Sequence, residues 1–179
     1  MKSVIRISIL SLAVLFATSS FTFAQKRGNG KARPSPNAEV SQTIGTTVVD
    51  ITYGRPGLKG RTLESLTPKG KVWRTGANES TAITLSGDVM IGNKSISAGT
   101  YSIYTIPQSD KWTIIVSSKM SWGTQYDKAM DVERISVPAT TGNGVAEWFT
   151  MYFTDLSNTS ATLNLRWGDT VVAAPISVK

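Results

Sequence analysis

The sequence of 179 residues contains no cysteine and no histidine. Without cysteine, the chain has no disulfide, no thiolate metal site, no thiol nucleophile and no lipidated N-terminal cysteine. Without histidine, it lacks the commonest metal ligand and the commonest general base near neutral pH. Catalytic triads of serine, histidine and aspartate are therefore excluded, so any chemistry depends on carboxylates, lysine, arginine, tyrosine, serine or threonine.

The first 24 residues have the pattern of a cleaved signal peptide. Basic residues precede a short apolar stretch that ends at Ala17, and Thr22 and Ala24 are the small residues that a signal peptidase accepts. The apolar stretch is shorter than the roughly 20 residues that cross a bilayer. We therefore expect residues 1–24 to be removed between Ala24 and Gln25, which leaves a periplasmic or secreted protein with no transmembrane segment.

Residues 25–36 read QKRGNGKARPSP and contain almost nothing apolar to bury, so we expect a flexible basic tail. The formal net charge of +7 arises mostly from the signal segment and this tail, because from Pro34 onward 13 basic residues stand against 12 acidic ones. A nearly neutral body behind a signal peptide argues against nucleic acid as a partner.

From Asn37 onward, runs of valine, isoleucine, threonine, tyrosine and tryptophan alternate with turn-forming residues. Turn signals at intervals of about 8–12 residues are typical of all-β domains. We predict one domain over 37–179, a single antiparallel β-sandwich of jelly-roll or immunoglobulin-like Greek-key type with little helix. The predicted strands are 38–44, 46–53, 71–74, 81–85, 89–91, 94–96, 100–106, 112–117, 131–137, 145–154, 160–167 and 170–178.

One segment differs in composition from the predicted core strands. Residues 53–61 and 68–79 hold three of the five arginines that follow the tail, together with three lysines and five glycines. Glycine permits sharp turns, and arginine offers paired donors to a carboxylate. Two interpretations stay open: a ligand-binding surface, or a loop whose arginines brace neighbouring strands. The candidate ligand-binding residues are Arg55, Arg61, Trp73, Arg74, Asn78 and Glu79.

The same segment contains the strings YGRPGLKGR and GKVWRTGANE, and AGTYS follows at residues 98–102. These strings resemble the domain-of-unknown-function 2911 family, and the resemblance covers about residues 36 to 178. It implies a secreted or periplasmic single-domain β protein from bacteria. Because that family has no established activity, the resemblance implies no catalytic residue.

Carboxylates define the alternative function. Glu79, with Asp50 or Glu147, would provide the acid and base of a hydrolase that acts on envelope or extracellular polysaccharide. The structural interpretation of Glu79 is an ion pair with Arg74 or Arg55. No aspartate-rich loop is present, so the sequence predicts no metal site, and it predicts no cofactor.

We favour an exported, non-enzymatic binding or structural module of the cell envelope, whose partner is an acidic glycan or an envelope protein. Trp122 lies in a loop of small polar residues, so we expect it to be exposed and able to stack on a sugar ring. Trp112 and Trp167 alternate with apolar strand residues, so we expect them in the core.

Overall fold

A computed structural model describes residues 30–142 and 144–178. The predicted signal peptide, residues 1–24, lies outside the described residues, and the predicted tail is described only from Gly30 onward. The described residues form eleven strands: β1 (Asn37–Ile44), β2 (Thr47–Gly54), β3 (Thr81–Leu85), β4 (Val89–Ile91), β5 (Lys94–Ile96), β6 (Gly99–Ile106), β7 (Lys111–Ser117), β8 (Asp131–Thr140), β9 (Ala146–Thr154), β10 (Ser160–Gly168) and β11 (Thr170–Ser177).

Helix is limited in the described residues to α1 (Leu63–Leu66) and a 3₁₀ turn (Lys128–Met130). The Thr62 hydroxyl begins α1 by accepting a hydrogen bond from the Ser65 amide at 3.3 Å, the usual role of threonine at a helix start. In the part of the chain that the structure describes, no helix is long and apolar enough to cross a membrane. The all-β prediction with little helix is confirmed.

Hydrogen bonds join nine strands in one antiparallel path, in the order β1-β2-β3-β6-β7-β8-β11-β10-β9. The β4–β5 hairpin attaches to β11. Strand β8 belongs to both halves of this path, because residues 131–138 pair with β7 and residues 139–140 pair with β11. The sheet therefore nearly closes into a barrel, and the predicted sandwich of two sheets is not confirmed.

The chain that follows β2 closes this barrel along the outer edge of β9. The Leu58 N–H donates to the Glu147 carbonyl at 2.9 Å, and the Phe149 N–H donates to the Pro56 carbonyl at 3.0 Å. Backbone groups at a strand edge need such partners, because an unpaired edge binds other chains. Residues 55–58 thus lie against a strand that is about 90 positions away in the sequence.

Apolar side chains from successive strands fill a single core. Phe149 and Met151 of β9, and Leu163 of β10, are buried as their alternation predicts. Trp112 and Trp167 are only 5% and 4% exposed, which confirms the prediction that they are core residues. Burial of these side chains removes apolar surface from water and supplies most of the stability of the fold.

The predicted strand at residues 71–74 is wrong. Within this stretch, which the structure describes in full, only Trp73 pairs, through reciprocal backbone hydrogen bonds of 2.7 and 2.9 Å with Thr105. The chain turns directly afterwards, since Thr75 and Asn78 have φ angles of 53° and 66°. Positive φ is incompatible with an extended strand, so the segment becomes a loop anchored at one tryptophan.

Candidate functional site

Arg55 lies in the segment that closes the barrel, and it binds β9. Its Nε donates to the Phe149 carbonyl at 2.9 Å, and its Nη2 donates to Thr150 Oγ1 at 2.6 Å. A planar guanidinium can donate to two acceptors at once. Arg55 thereby gives the Phe149 carbonyl, at the outer edge of β9, a hydrogen-bond donor. The contacts of Arg55 are those of a structural brace.

Arg61 is exposed and binds the carbonyls of its own loop. Its Nε donates to the Leu58 carbonyl at 3.0 Å, and its Nη2 donates to the Gly57 carbonyl at 3.2 Å. Between these residues the chain reverses through Lys59 and Gly60, whose φ angles are 50° and 76°. Arg61 therefore stabilises a tight turn in which one non-glycine residue has left-handed backbone geometry.

Trp73 packs within an aromatic cluster. Its ring stacks on Trp167, with centroids 5.4 Å apart and an interplanar angle of 20°. It also meets Phe149 edge to face at 5.0 Å and Trp112 at 6.2 Å. Such aromatic pairs add about 0.5–1.5 kcal/mol each beyond burial. One side of Trp73 therefore belongs to the core, although the residue as a whole is only half-buried.

Glu79 and Asn78 bind the described end of the predicted tail. A single nitrogen of Arg33, Nη1, donates to both carboxylate oxygens of Glu79, at 2.9 and 2.8 Å. The side chains of this pair are 20% and 11% exposed, so solvent screens them only partly. Asn78 Nδ2 donates to the Ser35 carbonyl at 3.1 Å. Glu79 is thus paired with Arg33 of the tail, whereas the sequence suggested a pair with Arg74 or Arg55.

Residues 33–36 form a strap across the domain. The Arg55 N–H donates to the Pro36 carbonyl at 2.8 Å, and Lys59 Nζ lies 3.5 Å from the Pro34 carbonyl. Together with the contacts of Arg33 and Ser35, these bonds engage four consecutive residues. Composition alone gave no sign of this ordering, because glycine, proline and basic residues provide nothing to bury.

Arg74 differs from Arg55 and Arg61 in its hydrogen bonds. Its Nε donates to the Gly76 carbonyl at 3.2 Å. Among the described residues, neither Nη1 nor Nη2 of Arg74 has a hydrogen-bond partner, and neither belongs to the buried polar atoms that lack one. A guanidinium with both terminal groups open to solvent can bind an anionic ligand through two parallel bonds.

A pocket of about 560 Å³ opens beside Arg74. Its volume lies within the range of about 300–1,000 Å³ that is usual for small-molecule sites. Apolar, aromatic and basic side chains meet there, which suits a ligand with both apolar faces and charge. The lining residues are Leu66, Val72, Trp73, Arg74, Tyr104, Gly123, Thr124 and Tyr126.

Tyr126 is fixed in the pocket wall by two charged neighbours. Its hydroxyl donates to Asp131 Oδ2 at 2.8 Å, and Arg134 Nη2 donates to the Tyr126 oxygen at 2.6 Å. Burial raises the pKa of Tyr126, the hydrogen bond to Asp131 raises it further, and Arg134 partly opposes the shift. The hydrogen bond to Asp131 also raises the pKa of Arg134. The tyrosine therefore stays a neutral hydroxyl at neutral pH.

Gly123 and Thr124 form another wall of the pocket, and residues 121–123 are bonded to the chain on both sides of residue 79. The Gly123 N–H donates to the Asn78 carbonyl at 3.1 Å. The Ser80 N–H donates to the Ser121 carbonyl at 3.1 Å, and its hydroxyl donates to the same oxygen at 2.7 Å. The position of this wall thus depends on the loop that carries Glu79.

Of the residues that line the pocket, Trp73 and Arg74 were candidates from the sequence, and six were not: Leu66, Val72, Tyr104, Gly123, Thr124 and Tyr126. An added Cβ at Gly123 would lie 2.9 Å from Arg74 Cδ, so the loop packs this closely only with glycine. One signal in the sequence could have indicated Gly123, because it follows Trp122, which was expected to be exposed. Trp122 itself is 48% exposed, which confirms that expectation. Neither tyrosine belongs to a pattern that would have indicated a site.

The carboxylates of the hydrolase alternative are absent from the described lining of this pocket. Glu79 is bound by Arg33, and Glu147 Oε1 accepts a hydrogen bond from the Lys59 amide at 2.8 Å. Asp50 lies within β2, paired on both sides. Within the described residues, no group of three or more metal-ligating side chains is placed to hold an ion.

A second cleft of about 340 Å³ lies beside α1. Two carboxylates, Glu64 and Asp169, line it together with Lys69. Asp169 Oδ1 accepts a hydrogen bond from the Thr170 hydroxyl at 3.2 Å. None of the six candidate residues lines this cleft, so the structure separates it from the pocket beside Arg74.

Comparison with known protein families places the chain. The profile of a family described as "Protein of unknown function (DUF2911)" matches residues 35–176. No match was found among curated proteins or among solved structures. The matched range begins within the strap and contains all six candidate residues as well as the pocket. The chain therefore belongs to the DUF2911 family, as the strings YGRPGLKGR and GKVWRTGANE indicated.

Proposed function

We propose that the chain is an exported, non-enzymatic binding module of the cell envelope that takes an acidic glycan in the pocket beside Arg74. The observation that carries the proposal is the guanidinium of Arg74, whose two terminal nitrogens have no partner among the described residues. A carboxylate accepts two parallel hydrogen bonds from such a group, which gives both affinity and a defined orientation.

The remaining lining suits a sugar ring. Trp73, Tyr104 and Tyr126 bring aromatic surface to the pocket, and the two tyrosines also carry hydroxyls. Sugars present apolar C–H faces and hydroxyl groups, so aromatic rings and polar donors together support their binding. Trp122, next to Gly123 of the lining, offers a further exposed ring for a second sugar unit.

The distribution of charge favours a local anion site over a polyanion-binding surface. From Pro34 onward, 13 basic residues stand against 12 acidic ones, so no broad positive field attracts nucleic acid. A ligand with one or a few carboxylates is therefore the partner that we propose. An envelope protein with an exposed carboxylate is the competing partner, and the binding experiment separates the two.

Export is proposed from the pattern of residues 1–24. A basic start, a short apolar stretch and small residues before Gln25 are the features that a signal peptidase recognises. N-terminal sequencing of the protein recovered from the periplasm or the medium tests this. We expect the sequence to begin at Gln25, and a cytoplasmic protein that keeps Met1 would contradict export.

The hydrolase alternative has less support. A general acid or base must reach the substrate within hydrogen-bond distance. Glu79 is 9% exposed and bound by Arg33, whereas Asp50 and Glu147 are not among the residues that line the pocket. A screen for glycan hydrolysis tests the alternative, and activity that survives Glu79→Gln would remove Glu79 from it.

The binding proposal is tested by calorimetric titration of the protein with an oligosaccharide of galacturonic acid. We expect measurable binding, and Arg74→Gln should weaken it by about tenfold or more, because a hydrogen bond to a charged group is worth roughly 1.5–3 kcal/mol. Arg61→Gln is the matched control. It removes an exposed arginine whose hydrogen bonds, among the described residues, go to Gly57 and Leu58 of its own loop, so affinity should be unchanged.

Two results would contradict the proposal. One is equal binding of the galacturonate and of a neutral galactose oligosaccharide of the same length. The other is an Arg74→Gln variant that binds as tightly as the unmodified protein. Capture of a carboxylate-bearing envelope protein through Arg74, with no affinity for galacturonate, would replace the glycan by that partner.

A further inference from the structure

The strap, residues 33–36, is connected to the ligand pocket by a continuous series of contacts. It reaches the domain through the ion pair between Arg33 and Glu79 and through the hydrogen bond from Asn78 to Ser35. Both contacts fall on neighbouring residues of one loop. The pair joins residues 46 positions apart, so it ties the strap to a distant part of the chain.

The ion pair is placed where it can have a measurable effect. Its side chains are 20% and 11% exposed, and one Arg33 nitrogen bonds to both oxygens of Glu79. Fully exposed ion pairs contribute little, because water and salt screen them and both side chains lose freedom. A pair that is mostly shielded, with two short charged hydrogen bonds, orders the loop around it more strongly.

The loop on either side of Glu79 holds the pocket wall. The Asn78 carbonyl accepts a hydrogen bond from the Gly123 N–H. The N–H and the hydroxyl of Ser80 both donate to the Ser121 carbonyl. Movement of Glu79 therefore moves the two residues that bind Ser121 and Gly123. Backbone hydrogen bonds between loops transmit such a displacement because each lost bond exposes a polar group.

The wall in turn limits where Arg74 can lie. An added Cβ at Gly123 would be 2.9 Å from Arg74 Cδ and 3.2 Å from its Cβ, so the loop backbone packs directly on this side chain. On its other side, Arg74 Nε is bonded to the Gly76 carbonyl. The stem of Arg74 is thus confined between the wall and its own turn, while its terminal nitrogens stay open.

We propose that the strap fixes the position of the Arg74 guanidinium in the pocket, with Arg33 and Glu79 as positioning residues. The identity of the ligand rests on the proposed function, but the effect of the strap on Arg74 does not. Direct measurement of the coupling between the strap and Arg74 tests this proposal. The test therefore begins without any ligand.

The experiment is NMR spectroscopy of the protein and of Arg33→Gln. We expect the Gly123 amide to exchange with solvent about tenfold faster in the variant, and the Arg74 Nε–H resonance to shift, because the loop opens locally. Arg33→Lys should restore both signals, since one nitrogen makes both bonds to Glu79 and an ammonium can do the same. Lys111→Gln, which removes an exposed charge of β7, should change neither.

A buried amide separates a local effect from general destabilisation. Val116 of β7 is fully buried, and its exchange rate should stay constant in Arg33→Gln. If the Gly123 amide and the Arg74 resonance are unchanged, or if Val116 accelerates as much as Gly123, the proposal is overturned. Glu79→Gln should reproduce the effect of Arg33→Gln, and if that variant does not fold, Arg33→Gln decides alone.

The experiments distinguish failure of the proposed binding function from failure of the proposed role of the strap. If galacturonate does not bind but Gly123 and Arg74 respond to Arg33→Gln, the function fails and the strap is supported. If galacturonate binds through Arg74, Arg33→Gln should weaken that binding by about fivefold or more, the lower end of the usual coupling between sites. Unchanged galacturonate affinity in Arg33→Gln would overturn the positioning role.

Discussion

The Tyr53 hydroxyl accepts a hydrogen bond from the Met151 amide at 2.9 Å, across 98 positions of the sequence. Tyr53 is the last residue but one of β2, next to the segment that closes the barrel, and only 2% of it is exposed. At the outer edge of β9, the Tyr53 hydroxyl accepts the Met151 N–H, just as the Pro56 carbonyl accepts the Phe149 N–H. The closure therefore depends on side chains as well as on backbone pairing.

Tyr53→Phe should lower the free energy of unfolding by about 1–3 kcal/mol, because the Met151 N–H is left buried without an acceptor. Urea denaturation followed by tryptophan fluorescence measures the change. Tyr101→Phe is the control, since its hydroxyl binds the Ser97 carbonyl in an exposed position at 3.0 Å and its loss should cost less than about 1 kcal/mol. Equal effects of the two substitutions would contradict the role of Tyr53.

Trp73→Ala should destabilise the domain by about 3 kcal/mol, because the substitution removes three aromatic contacts and leaves a cavity beside Trp167 and Phe149. Trp122→Ala should cost less than about 1 kcal/mol, because that ring is 48% exposed. Thermal unfolding of the two variants measures the difference. If Trp73→Ala proves as mild as Trp122→Ala, Trp73 does not belong to the core cluster.

Gly54→Ala should destabilise by about 3 kcal/mol, because an added Cβ would overlap the Ala77 carbonyl oxygen, a backbone atom that cannot move aside. Gly142→Ala provides the comparison. Its φ is 83°, and apart from its chain neighbours no atom of the described residues lies within 4 Å of an added Cβ, so we expect a cost of about 1 kcal/mol from backbone strain. Guanidinium denaturation of both variants tests the order, and a reversed order would show that the contact at Gly54 relaxes easily.

Tyr126 should make stability fall more steeply at alkaline pH. Its pKa is raised above the ordinary 10.0 in the folded protein, so the unfolded chain loses this proton first. The raised pKa adds to the free energy of unfolding in full below pH 10.0, and this contribution is lost as the pH rises toward the pKa of Tyr126 in the folded protein. Tyr126→Phe should therefore show a shallower loss between about pH 9 and pH 11 in urea denaturation. Tyr152→Phe, whose hydroxyl has no hydrogen bond among the described residues, should retain the full slope.

Strand positions followed from the sequence because alternation and turn residues are local signals. Phe149 and Met151 face the core as expected, and Gly92 and Gly168 turn the chain with φ near 60°. The strand predicted at 71–74 failed, since positive φ at the residues that follow is not encoded by apolar alternation. The number of sheets also could not be predicted, because it depends on which distant strands meet.

The sequence indicated which segment carries the candidate residues, but not which partners those residues bind. The composition of residues 53–79 singled out a segment that contributes Trp73 and Arg74 to the pocket, yet Arg55 binds the β9 edge and Glu79 binds Arg33. Both partners are distant in the chain, and a single sequence holds no information about such pairs. Arg74 and Trp73 do line a pocket, but its tyrosines come from separate elements and carry no recognisable motif.

The closure along β9 also has a consequence for the order of folding. The bond from Arg55 to Phe149 spans 94 positions, and the bond from Tyr53 to Met151 spans 98. Contacts between such distant residues form slowly, because a long loop must be ordered before they contribute any stability. We therefore expect the hairpins between the two ends to assemble first. Most of the chain must be synthesised before the edge of β9 is covered, and until then it can pair with other molecules.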